Sequence, residues 1–284
     1  MEIRTLISAL QARFENAGVE NARGAAEELV SRRLGCRPLE IYLRAEPLPT
    51  EIVQALEEDA RRVAAGEPVA YVTGRKNFFG RDFICDRRAL IPRPETELLV
   101  EWVLKALRRR KGEALRVADV GTGTGCIVLT LALEQPGHRW FGVDRSAAAL
   151  ELAQENARHL GAEGFVTWRE GDLLKGWGEG SLDLVVSNPP YIPSAEVGRL
   201  AGSVRNHEPQ AALDGGPDGL TLIRRLVAQA RRVLAPGGEI YLEIGFDQGE
   251  RVPALLREEG FAEVTLRRDL AGFPRLVRGR AVTR

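Results

Sequence analysis

Past residue 115 the chain repeats one pattern: a short apolar run of strand length, a turn, and a longer run of helical spacing. Strand-like runs at 115–120, 139–143 and 182–186 and one ending at Glu170 come first, followed by a helix over 220–234 and a strand over 239–244. A helix over 248–259 and strands over 262–267 and 275–278 complete the chain. Alternation of this kind constrains the fold more than any single residue does. It predicts an α/β architecture, a doubly wound sheet with right-handed crossovers. In such sheets ligands gather outside the carboxyl ends of the strands.

The stretch 181–191 marks one of those ends. The run 182–186 stops at Ser187-Asn188-Pro189-Pro190-Tyr191. Neither proline can donate a ladder hydrogen bond, so the strand ends there. One strand tip thus delivers a carboxamide, two constrained backbone carbonyls and an aromatic ring to a single place. A plain strand-ending turn would explain the prolines but not the glycine loop and carboxylate upstream.

That loop is Gly121-Thr122-Gly123-Thr124-Gly125, between a strand and an apolar helix over 126–133. Its glycines let the backbone turn tightly and approach a ligand, and the helix amino end offers unpaired N–H groups. The next strand ends in Asp144, about 20 residues past the loop and placed to accept ribose hydroxyls. The strand after it ends in Glu170-Gly171-Asp172-Leu173, where a base can be hydrogen-bonded by Asp172 and packed by Leu173. The dinucleotide fingerprint needs glycine at 126, where Cys126 stands, and no Gly-Lys-Ser/Thr of a P-loop follows.

Charge narrows the partners. Lys and Arg number 40 and Asp and Glu 40, a formal net charge of zero. That disfavours bulk nucleic acid or a membrane surface as partner. The segment 265–284 is locally basic, with six Arg against one Asp, and reads as a solvated edge. Cys36, Cys85 and Cys126 are isolated, no metal-ligand spacing joins them to His138, His159 or His207, and no metal site is expected. The amino-terminal residues lack the apolar core of a signal peptide. No run of about 18 apolar residues appears, so a cytoplasmic protein is expected.

Residues 1–67 read as a small helical bundle for substrate recognition. Ile3, Leu6, Ile7, Leu10 and Phe14 follow helical spacing, and a second helix is predicted over 21–34 and a short third over 38–43. Thr50 reads as the N-cap of a helix with Ile52, Val53, Leu56, Ala60 and Val63 inward, stopping at Gly66. Up to Cys85 there are 12 basic and 13 acidic residues, whereas a nucleic-acid-reading module is normally basic. Residues 69–72 and 78–85 read as two β segments around 73–77, a hairpin linker over 68–89 ahead of a catalytic domain at 90–284. Within Leu90-Ile91-Pro92-Arg93-Pro94-Glu95-Thr96-Glu97, Pro94 suits the first turn of a helix and Glu95 and Glu97 its positive end. Arg93 has no part in capping.

Taken together, Ile91-Pro92-Arg93-Pro94-Glu95-Thr96-Glu97, the glycine loop, Asn188-Pro189-Pro190-Tyr191 and Glu208-Pro209 with Leu213-Asp214-Gly215-Gly216 resemble the release factor glutamine methyltransferases (PrmC/HemK). These are class I S-adenosylmethionine-dependent methyltransferases. The resemblance spans the whole chain. It implies a Rossmann-like seven-stranded sheet, S-adenosyl-L-methionine as cofactor, and class-1 peptide chain release factors as protein substrates. The methyl acceptor it implies is the side-chain nitrogen of glutamine in a Gly-Gly-Gln tripeptide, giving N5-methylglutamine. By resemblance Gly121, Thr122, Gly123, Thr124 and Gly125 wrap the methionine part of the cofactor, and Asp144 holds the ribose. Asp172 and Leu173 hold the adenine, where some relatives carry an aromatic residue in place of Leu173. Asn188, Pro189, Pro190 and Tyr191 hold the glutamine amide, with Asn188 also beside the cofactor. No stable nucleic acid, no membrane and a monomeric chain are expected.

An amide nitrogen is a poor nucleophile, so alignment and partial loss of conjugation are what a protein must supply. The Asn188 side-chain oxygen and the Pro189 carbonyl suit that task as acceptors for the two amide N–H bonds, and Tyr191 suits stacking on the amide plane. An adenine-N6 methyltransferase acting on DNA or RNA is the alternative for the same tetrapeptide, but it needs base flipping and a basic groove. A nicotinamide oxidoreductase is disfavoured by the glycine spacing, and a non-catalytic adaptor by the intact tetrapeptide.

Overall fold

The structure, a computed structural model, describes every residue except Ala45, Lys111, Thr283 and Arg284. Two compact units appear: Met1–Arg75 with Ala201–His207, and Lys76–Leu200 with Glu208–Arg284.

In the first unit, α1 (Ile3–Asn16), α2 (Ala22–Arg33) and α3 (Thr50–Ala64) pack around Leu6, Leu10, Phe14, Leu29, Ile41 and Leu56. A 3-10 turn, Pro38–Leu43, contributes Ile41. Apolar residues recur at helical spacing along α1, so one stripe goes inward and the polar remainder meets water. Asn21 caps α2 from a left-handed conformation, its side chain accepting from the Gly24 N–H. Thr50 is the first residue of α3 and not its cap; Pro49 stands at the cap position with no side-chain bond.

The expected strand over 69–72 is instead a helical turn, α4 (Val69–Val72). Pro68 starts it, Thr73 N–H bonds Val69 O at 2.9 Å, and the Thr73 hydroxyl bonds the same carbonyl. Four apolar residues carry no period of their own. Here Ala70 and Tyr71 are buried and the turn packs on α2 and α3. The hairpin lies further on, as β1 (Arg75–Phe78) and β2 (Arg81–Ile84). Its turn is Phe79-Gly80, with φ of 52° and 74°, the paired positive values a type I′ turn requires.

The second unit continues with α5 (Pro94–Arg109), β3 (Arg116–Val120), α6 (Cys126–Glu134), β4 (Arg139–Asp144), α7 (Ala147–His159), β5 (Val166–Glu170) and β6 (Leu182–Ser187). The stretch 192–218 that follows, long and without an apolar period of its own, carries α8 (Ser194–Val197), α9 (Gly202–Arg205), which groups with the first unit, and a 3-10 turn at Gln210–Ala212. Then come α10 (Thr221–Val233), β7 (Leu234–Glu243), α11 (Arg251–Glu258), β8 (Phe261–Arg268) and β9 (Pro274–Ala281). Ala235-Pro236-Gly237-Gly238, a turn-forming sequence, lies within β7 at an irregularity between the pairs Leu182/Leu234 and Leu184/Glu239.

Seven strands form one sheet in the order β5-β4-β3-β6-β7-β9-β8. Pairings from β5 through β7 are parallel, and β9 runs antiparallel to both neighbours. Strand residues alternate between two apolar layers. Val117, Leu184, Val186 and Tyr241 face α5 and α6, while Ala118, Val120, Val185, Ile240 and Leu242 face α10 and α11. Helix α6 is buried from Cys126 through Ala132, which is why its sequence is apolar on every side. Strand order reverses between β3 and β6, so the chain leaves the carboxyl ends of these two neighbouring strands in opposite directions and a crevice opens outside them. No helix among the described residues is long and apolar enough to cross a membrane.

Candidate active site

At that crevice lies a cavity of about 200 Å³ whose lining includes Gly121, Thr122, Gly123, Thr124, Asp144, Asp172, Leu173, Asn188 and Pro190. The glycine loop leaves β3 with φ of 74°, 54° and 79° at residues 121, 123 and 125. Gly125 also has little room for a side chain: a Cβ there would stand 3.0 Å from Leu129 and 3.2 Å from Ala153. Thr122 and Thr124 are buried, and the Thr122 hydroxyl donates to Asp119 Oδ2 at 2.7 Å. Asp119 is wholly enclosed at the end of β3. Burial pushes its carboxyl up to about 7 against the pull of the Thr122 hydrogen bond.

The tip of β4 carries Asp144. Its Oδ2 accepts from Gly123 N–H at 2.9 Å and its Oδ1 from Ser146 N–H at 3.0 Å. Each oxygen keeps a second lone pair, so the carboxylate is oriented by the loop and still able to accept. Asp172 is exposed and paired with Arg225 of α10. Leu173 sits in the left-handed region at φ 56°, a conformation that costs a branched residue about 1 kcal/mol or more.

The tip of β6 is organised from behind. Asn188 Nδ2 donates to Thr96 Oγ1 at 3.1 Å, and Thr96 Oγ1 donates to Glu243 Oε2 at 2.7 Å. Thr96 is the third residue of α5 and Glu243 the last of β7; both are buried. Pro189 is buried beside Asn188. The Tyr191 hydroxyl stands 3.4 Å from Glu243 Oε1, and its carbonyl accepts from Gln248 Nε2 at 3.0 Å. Burial pushes the Tyr191 phenol upward, the Glu243 carboxylate adding to the effect. Close packing behind this tip depends on glycine. A Cβ on Gly215 would lie 2.8 Å from Pro190 O, and one on Gly219 would lie 2.3 Å from Tyr191 O.

Arg93, which capping left unexplained, bonds Glu208 across 115 residues of chain. The same carboxylate accepts from Ile91 N–H at 3.0 Å, and its side chain is 1% exposed. Glu208 thereby ties Pro209, Ala211 and Ala212 to the segment 88–93, all of them lining the cavity except Glu208 itself.

Comparison with known proteins agrees with this geometry. Residues 94–203 match the family described as the methyltransferase small domain, and residues 5–74 match the PrmC N-terminal domain. The release factor glutamine methyltransferase of Geobacter sulfurreducens is 40% identical over 279 residues, spanning 98% of this chain and 96% of that one. This chain belongs to the release factor glutamine methyltransferase family. Its relative of that name in Moorella thermoacetica is 42% identical over 261 residues, covering 92% of this chain and 91% of the other. The solved methyltransferase of Pyrococcus furiosus shares the fold, with a TM-score of 0.53 at 16% identity over 80% of this chain and all 100% of that one.

Members of this class I fold use S-adenosylmethionine, and the cavity suits such a group. The glycines at 121 and 123 bring the backbone itself to one wall, an oriented carboxylate stands at the neighbouring strand tip, and Ile91, Cys126, Ile127, Val143 and Leu222 provide apolar surface. All the residues expected to hold the cofactor line this one cavity except Gly125, which turns the chain into α6. Sequence reasoning missed Asp119, Thr96, Glu208 and Glu243 as parts of the site. Glu243 left a trace: it is the one carboxylate in the apolar run 240–244, at the end of the strand paired with β6.

Proposed function

We propose that this protein transfers a methyl group from S-adenosyl-L-methionine to the side-chain amide nitrogen of the glutamine in the Gly-Gly-Gln motif of class-1 peptide chain release factors, acting as a monomer in the cytoplasm. The observation that carries the proposal is the Asn188 carboxamide, tethered by its Nδ2 to Thr96 at the cavity wall. With that end engaged, the Asn188 side chain offers its oxygen as a fixed acceptor. A glutamine side chain entering the crevice donates one N–H to Asn188 Oδ1 and the other to the Pro189 carbonyl. Both N–H bonds then lie in a set plane, and the nitrogen lone pair projects out of it, less conjugated with the amide carbonyl. Two acceptors also favour positive charge developing on that nitrogen. The Tyr191 ring, anchored through its hydroxyl to Glu243, gives the flat amide a face to rest on. Pro190 has no N–H to compete for these acceptors.

The bound cofactor supplies an electrophilic sulfonium methyl. Gly121 to Gly125 hold its amino-acid end, Asp144 its ribose, and Asp172 and Leu173 its base. No general base is needed before transfer, because the proton leaves the nitrogen once its charge has risen. Asn188→Ala tests the assignment. It should lower turnover by about 100-fold or more with the circular dichroism spectrum unchanged; a rate near wild type would sink it.

A further inference from the structure

The network behind Asn188 contains a residue that neither the resemblance nor the family assigns. Asn188 is useful as an acceptor only if its oxygen, and not its NH₂, faces the substrate amide. The two ends of a carboxamide have nearly the same shape, so packing alone chooses weakly between them. Hydrogen-bond polarity chooses strongly. An ionised carboxylate can only accept, so Glu243 takes the single proton of the Thr96 hydroxyl at 2.7 Å. Thr96 then has only lone pairs for Asn188, and the group it meets at 3.1 Å must be the NH₂. We infer that Glu243, acting through Thr96, is the positioning residue that turns the Asn188 oxygen toward the substrate.

The inference rests on the proposed role of Asn188 as the acceptor for the glutamine N–H. Glu243 is 1% exposed and Thr96 2% exposed, so bulk water does not reach the link between them. Among the described residues, the side chains hydrogen-bonded to Glu243 are neutral hydroxyls, those of Thr96 and Tyr191. The charges that act on it from around are Arg275 of β9, which itself pairs with Asp269, and Glu95 of α5; Arg93 acts on the neighbouring Tyr191. A carboxylate enclosed without a directly bonded cation is costly to keep for stability alone. Its effect on the polarity of the chain gives it a use.

Protonation reverses that polarity. Burial pushes the Glu243 carboxyl up to about 7, against the Thr96 hydrogen bond and the Arg275 charge. A neutral Glu243 can donate to Thr96, which frees the Thr96 proton for Asn188 and makes the turned-over carboxamide equally good. Donor would then face donor at the substrate. Methyl transfer should therefore fall as pH drops through about 7, in kcat more than in KM.

Glu243→Gln, Thr96→Val and Thr96→Ser test this on the full-length chain, with S-adenosylmethionine and a release factor carrying Gly-Gly-Gln. The introduced carboxamide can offer either end to Thr96, and valine removes the relay at nearly constant shape. Both changes should lower kcat on the order of tenfold or more, leave cofactor affinity within about twofold by calorimetry, and abolish the acid limb. Thr96→Ser, which keeps the hydroxyl, should retain both rate and acid limb. Glu243→Gln and Thr96→Val rates within about twofold of wild type, with the wild-type pH profile, would overturn the inference while leaving the proposed function intact. If the wild-type chain transfers nothing to Gly-Gly-Gln, the functional proposal fails first and the inference falls with it.

Discussion

Replacing Glu208 with alanine removes one carboxylate that two separate segments depend on. Its side chain is 1% exposed, accepts from the Ile91 N–H at 3.0 Å and pairs with Arg93. Losing the first contact leaves a buried backbone donor without a partner, which costs about 1–3 kcal/mol. Losing the second would cost about 3–5 kcal/mol if both charges were buried. The Arg93 side chain is 32% exposed, however, so water takes over part of its solvation and about 1 kcal/mol is the more appropriate figure. The sum is a loss of about 3 kcal/mol. All four tryptophans, at 102, 140, 168 and 177, lie in the second unit. Urea unfolding followed by tryptophan fluorescence therefore reads the affected unit without a signal from the helical one. Glu208→Gln, which keeps an acceptor for Ile91 but not the charge, should fall between wild type and Glu208→Ala. Because Pro209, Ala211 and Ala212 follow Glu208 into the cavity wall, S-adenosylmethionine affinity should fall together with stability. A Glu208→Ala protein within about 0.5 kcal/mol of wild type, the spread of ordinary surface changes, would refute the reasoning.

Gly125→Ala places a Cβ at φ 79°, 3.0 Å from Leu129, 3.2 Å from Ala153 and 3.3 Å from Trp168. The left-handed backbone costs about 1–2 kcal/mol for alanine, so calorimetry should find S-adenosylmethionine affinity lowered about tenfold alongside a drop in stability; unchanged affinity would mean the loop geometry is not needed. At the opposite end of the sheet Asp183 accepts from Arg116 N, Nε and Nη2 at 2.8, 2.9 and 2.9 Å. The Arg116 hydrogen bonds hold its carboxyl below the usual 3.8. A depressed carboxyl contributes stability above its ordinary pKa and loses it as pH falls through the folded-state value. The stability gap between wild type and Asp183→Asn should thus be full at pH 7 and close below about pH 4; a gap that stays constant into acid would contradict the pairing.

Much of the fold is legible in the sequence because two periods dominate it. Strand residues alternate between two buried layers, and the helices of the first unit carry a single inward stripe. Glycine and proline then fix where elements start and stop, as Pro94 and Gly125 do at the heads of α5 and α6 and Pro189 does after β6. Short apolar runs are where this fails. Residues 69–72 have no period to read, and packing of Ala70 and Tyr71 against neighbouring helices decides for a helical turn. The hairpin turn at Phe79-Gly80 is hidden because phenylalanine rarely takes a positive φ; here its N–H is held by Glu97 Oε1 at 2.8 Å. The residues lining the site were readable as a glycine loop, two strand tips and a tetrapeptide. Their supports were not, since Thr96 meets Glu243 across 147 residues of chain and Arg93 meets Glu208 across 115. No local pattern announces a contact of that range.

The most direct measurement is methyl transfer itself. Purified protein and labelled S-adenosylmethionine are mixed with a release factor carrying Gly-Gly-Gln, and separately with a copy changed to Gly-Gly-Ala, and the intact mass of each product is read. One added methyl on the first and none on the second is the expected result. Equal transfer to both, or transfer to neither while cofactor is bound, would contradict glutamine as the acceptor.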